Sequence, residues 1–315
     1  MLTPNTYPNH EDLTSLSDSF LLMGTVVTIR LVGKTSAHEM RNSIDKAIKA
    51  MRTVEEHLSR FDEHSTLREL CRHPGELRSV PPILYHALRV AREVSELTQG
   101  LFDPTVGRML EENGFNRHYL TGEQVFSGIP RVSQANYRDI TLMDEGLKVR
   151  LEKPMLLDLG AVAKGLAVDL AAKELEGYNG FAIDAGGDAY VFGTDPAGSK
   201  WRVGIEDPLH TNRLLTSLEL TDMAICTSGS YKRISPLDPH VHHLLNPSTG
   251  QSVDGLLSCT AIGPQTILTD VIATAAFLLG EEKALPFIED MGLAGLLVTS
   301  TGQIRETASM REYKP

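Results

Sequence analysis

The chain has 315 residues, 41% hydrophobic and 23% charged, which is the balance of a folded globular protein and not of a disordered or fibrous one. Thirty Lys and Arg against 41 Asp and Glu leave a net charge of −11 with no basic cluster, which argues against nucleic-acid binding. Three scattered cysteines, Cys71, Cys226 and Cys259, include no Cys-x-x-Cys pair, which argues against a disulfide scaffold or a cysteine zinc site.

In chain order, residues 1–18 are rich in Pro, Asn, Thr, Asp and Glu and read as a flexible tail, with 19–315 as one folded domain. The tail lacks the basic start and apolar run of an export signal, and no apolar stretch reaches about 18 residues. A cytoplasmic protein without a membrane anchor is expected. Residues 25–32 alternate, with Val27, Ile29 and Leu31 on one face, which predicts a strand. Ser36 and Glu39 have capping-box spacing before a helix whose apolar stripe is Met40, Ile44, Ala47, Met51, Val54 and Leu58. A second helix follows Pro81 and Pro82, turns Leu84, Leu88, Ala91 and Val94 inward and stops at Gly100. Further on, 155–159 reads as a short buried strand and 163–176 as a helix ended by Gly177. Residues 181–192 read as a glycine-interrupted strand pair, with further strands at 201–205, 258–262 and 295–299. The result is a strand-rich mixed architecture.

No G-x-x-x-x-G-K-S/T, G-x-G-x-x-G, H-E-x-x-H or G-x-S-x-G motif is present, which weakens ATPase, dehydrogenase, zincin and hydrolase readings. Five short polar or glycine-rich segments remain. Asp158-Leu-Gly-Ala-Val-Ala-Lys164-Gly165 is either an anion-binding helix start with a mobile cation or a tight turn with a solvated lysine. Asp270 and Thr274, four apart near the start of a helix, put two oxygens on one face. That arrangement suits a hard cation, or reflects dipole and back-bonding preferences alone. Asp184-Ala-Gly186-Gly187-Asp188 is a backbone–ligand approach or a hairpin bend, and Thr227-Ser-Gly-Ser-Tyr231 places hydroxyls beside a glycine or forms a plain turn. In His240-Val-His242-His243-Leu-Leu-Asn246-Pro-Ser-Thr-Gly250 no further ligand completes a zinc set, so one histidine in acid–base work is the better reading.

Taken in order, these segments resemble the FAD:protein FMN transferase (ApbE) family from about Met23 to Leu279. The resemblance also rests on Met23-Gly-Thr25, Leu58-Ser-Arg-Phe61, Gly100-Leu-Phe-Asp103-Pro-Thr105-Val-Gly107 and Trp201-Arg-Val-Gly-Ile-Glu-Asp-Pro208. It implies an α+β fold of mixed, largely antiparallel sheets packed with helices, in two closely associated halves with the FAD site between them. The implied reaction is Mg²⁺-dependent transfer of FMN from FAD to a Thr or Ser hydroxyl of an acceptor flavoprotein, releasing AMP, with Mn²⁺ equally acceptable to oxygen ligands. By the same resemblance Asp270, Thr274 and the Ala161 carbonyl hold the metal, while Asp158 and Lys164 contact FAD. Met23, Phe61, Leu101, Phe102 and Asp103 line a ring pocket, joined in binding FAD by Gly187, Thr227, Ser228, His243 and Leu244. His243 accepts the hydroxyl proton, with Asp270 beside it in catalysis. Two positions where the family commonly carries Asp hold Ser230 and Asn246, and each lost acid predicts a lower rate or a drift toward FAD hydrolysis. The competing readings are a Mg²⁺-dependent FAD pyrophosphatase and a non-catalytic FAD-binding protein.

Overall fold

The alternation of residues 25–32 becomes a strand because one face leaves water entirely: Val27, Ile29 and Leu31 are fully buried in the core shared with the helices. In the computed structural model, which describes residues 13–132, 135–210 and 212–315, this strand is β2 (Thr25–Gly33), paired antiparallel with β1 (Thr14–Leu22). Next come α1 (Ala37–Leu58), α2 (Thr66–Cys71), β3 (Arg78–Ser79), α3 (Pro82–Leu97), α4 (Gly107–Glu112), β4 (Ile140–Met143) and β5 (Lys148–Leu151). The middle of the chain supplies α5 (Gly160–Glu174), β6 (Gly180–Ala185), β7 (Asp188–Gly193), β8 (Trp201–Glu206), β9 (Leu214–Leu220) and β10 (Met223–Gly229). It closes with β11 (Leu256–Gly263), α6 (Thr266–Leu279), α7 (Ala284–Asp290), β12 (Ala294–Thr299) and β13 (Ile304–Glu306).

Eight strands form one sheet in the order β1-β2-β6-β7-β10-β11-β12-β13, every neighbouring pair antiparallel, so strands from both ends of the chain share it. The α+β class and its antiparallel character are as expected. Helices α1, α3, α5 and α6 share one core with one face of the sheet. The β8–β9 hairpin covers the other with Trp201, Val203, Ile205 and Leu218.

The capping box forms as its spacing predicts: the Glu39 N–H donates to Ser36 Oγ at 3.3 Å and the Ser36 N–H donates to Glu39 Oε2 at 3.2 Å. Three expectations are corrected. Of the supposed tail, residues 1–12 lie outside the described residues, whereas Thr14 to Asp18 pair with Gly33 to Ile29 in β1. Cross-strand hydrogen bonds override a polar composition there. Met155, Leu156, Leu157 and Leu159 are buried but residues 155–159 form no strand, because their backbone is spent on the 104–107 turn: Asp158 N–H donates to Pro104 O at 2.7 Å and Leu156 O accepts from Gly107 N–H at 3.1 Å. Helix α5 starts at Gly160, earlier than its apolar pattern suggests, which brings Ala161 and Lys164 into its first turns.

Two features of α5 fix its crossing with α6. A side chain at Gly165 would stand 2.5 Å from Thr266 O and 2.7 Å from Ile267 Cα, so only glycine allows this approach. Asp169 then caps α6 from outside, accepting the Thr266 and Ile267 N–H groups at 2.8 and 2.9 Å, while Gln265 at the cap position makes no side-chain bond. Asp169→Ala is therefore expected to lower unfolding free energy by about 1–2 kcal/mol, read as a lower urea midpoint at unchanged slope. An unaltered midpoint would refute the cap.

Candidate active site

A cavity of about 620 Å³ opens where the start of α5, the ends of β7 and β10, the 231–245 segment and α6 converge. Its size falls within the range of about 300–1,000 Å³ usual for small-molecule sites. The tight Gly186–Gly187 bend lets β7 reach it: Gly186 has φ 74°, and a side chain there would strike Thr25 Oγ1 at 2.2 Å.

At its base sits a charge cluster. Lys164 Nζ donates to Asp270 Oδ2 at 3.1 Å and, closer still, to Asp188 Oδ2, whose side chains are 3% and 5% exposed. The Gly165 N–H donates to the same Asp270 oxygen at 3.2 Å. Burial opposes the Lys164 charge, but the two carboxylates outweigh it and raise its pKa. Burial, and then the Asp188 charge, push the Asp270 carboxyl up as well. One ammonium between two buried acids leaves the cluster short of positive charge.

Thr274 lies one turn beyond Asp270 on α6, its hydroxyl 2.8 Å from that of Ser228. Because α6 begins at Thr266, Asp270 is past the first turn, and the helix dipole does not account for it. Among the described residues no three His, Cys, Asp or Glu form a metal cluster. The donors present here are a carboxylate and a hydroxyl, beside Ala161 on the cavity wall, which suits a hard cation better than a soft one. The shortage of positive charge fits the same ion.

Asp158 is handled differently. Burial would raise its pKa, yet the Arg60 guanidinium bonded to it, the Gly160 N–H at 2.8 Å and the Arg233 charge hold it below its ordinary value. Arg60, 5% exposed, also donates to the Phe115 carbonyl. On the adjoining wall burial, reinforced by the charges of Arg233 and His242, holds the His243 imidazole well below its usual range. Its Nδ1 is buried without a hydrogen-bond partner. A neutral imidazole with a free nitrogen can accept a proton.

Of the residues singled out by sequence, Phe102, Asp103, Asp158, Ala161, Lys164, Gly187, Thr227, Ser228, His243, Leu244, Asp270 and Thr274 line this one cavity. The Asp103 carboxylate is nonetheless engaged, accepting from the Thr105 and Tyr137 N–H groups at 2.8 and 3.1 Å. Met23, Phe61 and Leu101 are not on its wall. Phe61, with the Arg60 guanidinium 4.1 Å from its ring centre, lines a second depression beside Glu55 and Tyr119. Met23 reaches Glu55 through its N–H at 3.0 Å. Leu101 instead closes the turn after α3, its N–H donating to Thr98 O at 3.2 Å.

Ser230 and Asn246, where the resemblance leads one to expect Asp, are also off the wall. Ser230 Oγ turns to the Leu257 carbonyl at 3.3 Å, and Asn246 Oδ1 accepts the Ser248 N–H at 2.9 Å in a turn. Neither Ser230 nor Asn246 is among the lining residues, and each side chain bonds to backbone near its own loop. His242 is likewise structural, its Nε2 3.1 Å from Val253 O. Sequence reasoning missed Arg60, Asp188 and Arg233 as site residues. The first two lay inside quoted motifs, and the signal available was an ionisable residue beside a functional segment.

A sequence model described as the ApbE family matches residues 23–297. A Rhodobacter capsulatus protein named FAD:protein FMN transferase is 30% identical over 94% of this chain, which spans 58% of that relative's length. Relatives of the same name from Haemophilus influenzae and Vibrio cholerae are each 26% identical, over 88% and 93% of this chain and 82% and 90% of their own. The crystal structure of the ApbE protein from Thermotoga maritima matches with a TM-score of 0.85 at 27% identity, covering 96% of this chain and 100% of that one. The flavin transferase ApbE from Vibrio cholerae shares the fold at a TM-score of 0.80 and 23% identity, covering 96% and 99%. Its similarity to these enzymes runs through nearly the whole described chain, and with the family model spanning residues 23–297 the chain belongs to the ApbE family.

Proposed function

We propose that this chain is a FAD:protein FMN transferase that moves FMN from FAD onto a Thr or Ser hydroxyl of an acceptor flavoprotein and releases AMP. The observation that carries the reading is the meeting, in one cavity, of an under-neutralised Asp188–Lys164–Asp270 cluster and a neutral histidine with a free nitrogen. The names of the relatives support it.

In this reading Lys164 and Arg233 draw the diphosphate bridge into the cavity and oppose the charge that develops on it. Asp270, Thr274 and the Ala161 carbonyl hold Mg²⁺ or Mn²⁺, which when bound adds positive charge where the bridge must be neutralised. Ser228 orients the Thr274 hydroxyl so that a lone pair remains for the ion. The acceptor hydroxyl attacks the FMN-side phosphorus while His243 takes its proton at Nδ1. A new phosphorus–oxygen bond forms, the bridging bond breaks, and AMP departs with the bridge oxygen. Phe61, in the second depression, and Met23, bonded to Glu55 of its lining, contact one of the two ring systems of the dinucleotide. Asp158, kept ionised by Arg60, contacts FAD at the start of α5. No helix among the described residues is long and apolar enough to cross a membrane, and the proposal includes a cytoplasmic location.

Purified chain, FAD, Mg²⁺ and a candidate acceptor are expected to give an acceptor heavier by one FMN in intact mass spectrometry. Asp270→Ala should slow this labelling by at least about 100-fold. Free FMN and AMP beside an unmodified acceptor would identify a pyrophosphatase, and FAD returned intact would identify a binder.

His243→Ala should lower the labelling rate by roughly 10²- to 10⁴-fold. Because the folded-state pKa of His243 is depressed, its neutral form persists below the ordinary histidine value. At saturating Mg²⁺, which keeps Asp270 ionised, the wild-type rate should stay level from about pH 8 through about 6.5, the ordinary histidine value, and fall only in more acid solution. A half-maximal point at or above that value assigns the base to another group.

A further inference from the structure

The Lys164 ammonium stands between two buried carboxylates, one of them the acid proposed to hold the metal. Its Nζ lies 3.1 Å from Asp270 Oδ2 and nearer to Asp188 Oδ2, and both acids are almost fully withdrawn from water. The close approach at Gly165 that puts Lys164 there is built into the backbone and does not depend on a flexible loop. An ammonium brings one charge and three donors. It can quiet two buried acids, but it cannot reverse their charge.

We propose that Lys164 is a resident counter-ion: in the metal-free protein it stands in for the divalent cation between Asp188 and Asp270, and a cation entering at Asp270 and Thr274 displaces it toward the cavity, where it meets the diphosphate. Asp188 remains its tether and is thereby a positioning residue. The inference rests on the metal-dependent flavin transfer proposed above. It carries an order of events. With Lys164 engaged by both acids, the cluster offers no net positive charge to a diphosphate; with a divalent ion added, the same residues do. The cation therefore precedes or accompanies the nucleotide.

The test is calorimetric titration of flavin-free protein with Mg²⁺, comparing wild type with Lys164→Met and Lys164→Gln. Removing an internal competitor should tighten Mg²⁺ binding at least about tenfold in either variant, and Mg²⁺ should raise the Tm of the variant more than that of wild type. Equal or weaker binding by a folded variant overturns the inference. Should neither variant fold, the wild-type crystal structure with Mg²⁺ and no flavin decides: Lys164 Nζ beyond hydrogen-bonding reach of Asp270 supports displacement, and a retained contact overturns it. Wild type that binds no Mg²⁺ without flavin overturns the counter-ion inference, and if it binds none with FAD present either, the metal dependence of the transferase reading as well. Wild type that binds Mg²⁺ while the variants bind no tighter overturns the counter-ion role alone.

Discussion

The backbone contact of α5 with α6 at Gly165 is the constraint on which the rest of the site depends. Without a side chain at that position the two helices approach until the Gly165 N–H itself reaches Asp270. Lys164, the preceding residue, is then delivered between Asp270 of α6 and Asp188 at the start of β7. Asp169, one turn further along α5, caps α6 and holds the same crossing from its other side. A single helix pair thus sets both the stability of this region and the geometry of its charges.

Two carboxylates in one cavity are treated in opposite ways. Asp158 sits under Arg60 with a backbone donor and stays ionised, whereas Asp270 shares one ammonium with Asp188 and is pushed up. Environments that drive like groups apart separate their chemical roles. Asp158 becomes a fixed negative contact at the start of α5, and Asp270 a group that still seeks positive charge. His243, kept neutral by burial and by the cation beside it, completes the division of labour as the one imidazole on the wall with an unused nitrogen.

Much of this was legible in the residues. Period-two alternation located β2, the Ser36 and Glu39 spacing located the start of α1, and the order of short segments pointed to the family and to most of the cavity wall. Local patterns carry this information because each reports on hydrogen bonds or burial within a few residues. The apolar run at 155–159 misled because burial alone does not distinguish a strand from an extended segment bonded to a turn. The start of β1 misled because its polar residues are stabilised by the partner strand and not by their own burial.

The sequence alone determined a strand-rich mixed architecture, the family resemblance with the antiparallel α+β class it implies, and the residue types available for phosphoryl transfer, since these depend on pattern and on order along the chain. Only the tertiary structure decided that Lys164 pairs with both Asp188 and Asp270, that Arg60 holds Asp158, that Ser230 and Asn246 face turns, and that Met23, Phe61 and Leu101 lie off the main cavity. Residues 24 and 106 positions apart meet at Lys164, and no local spacing encodes such a meeting. It arises from how two helices cross over a sheet, where charge and burial act through space and without regard to chain distance.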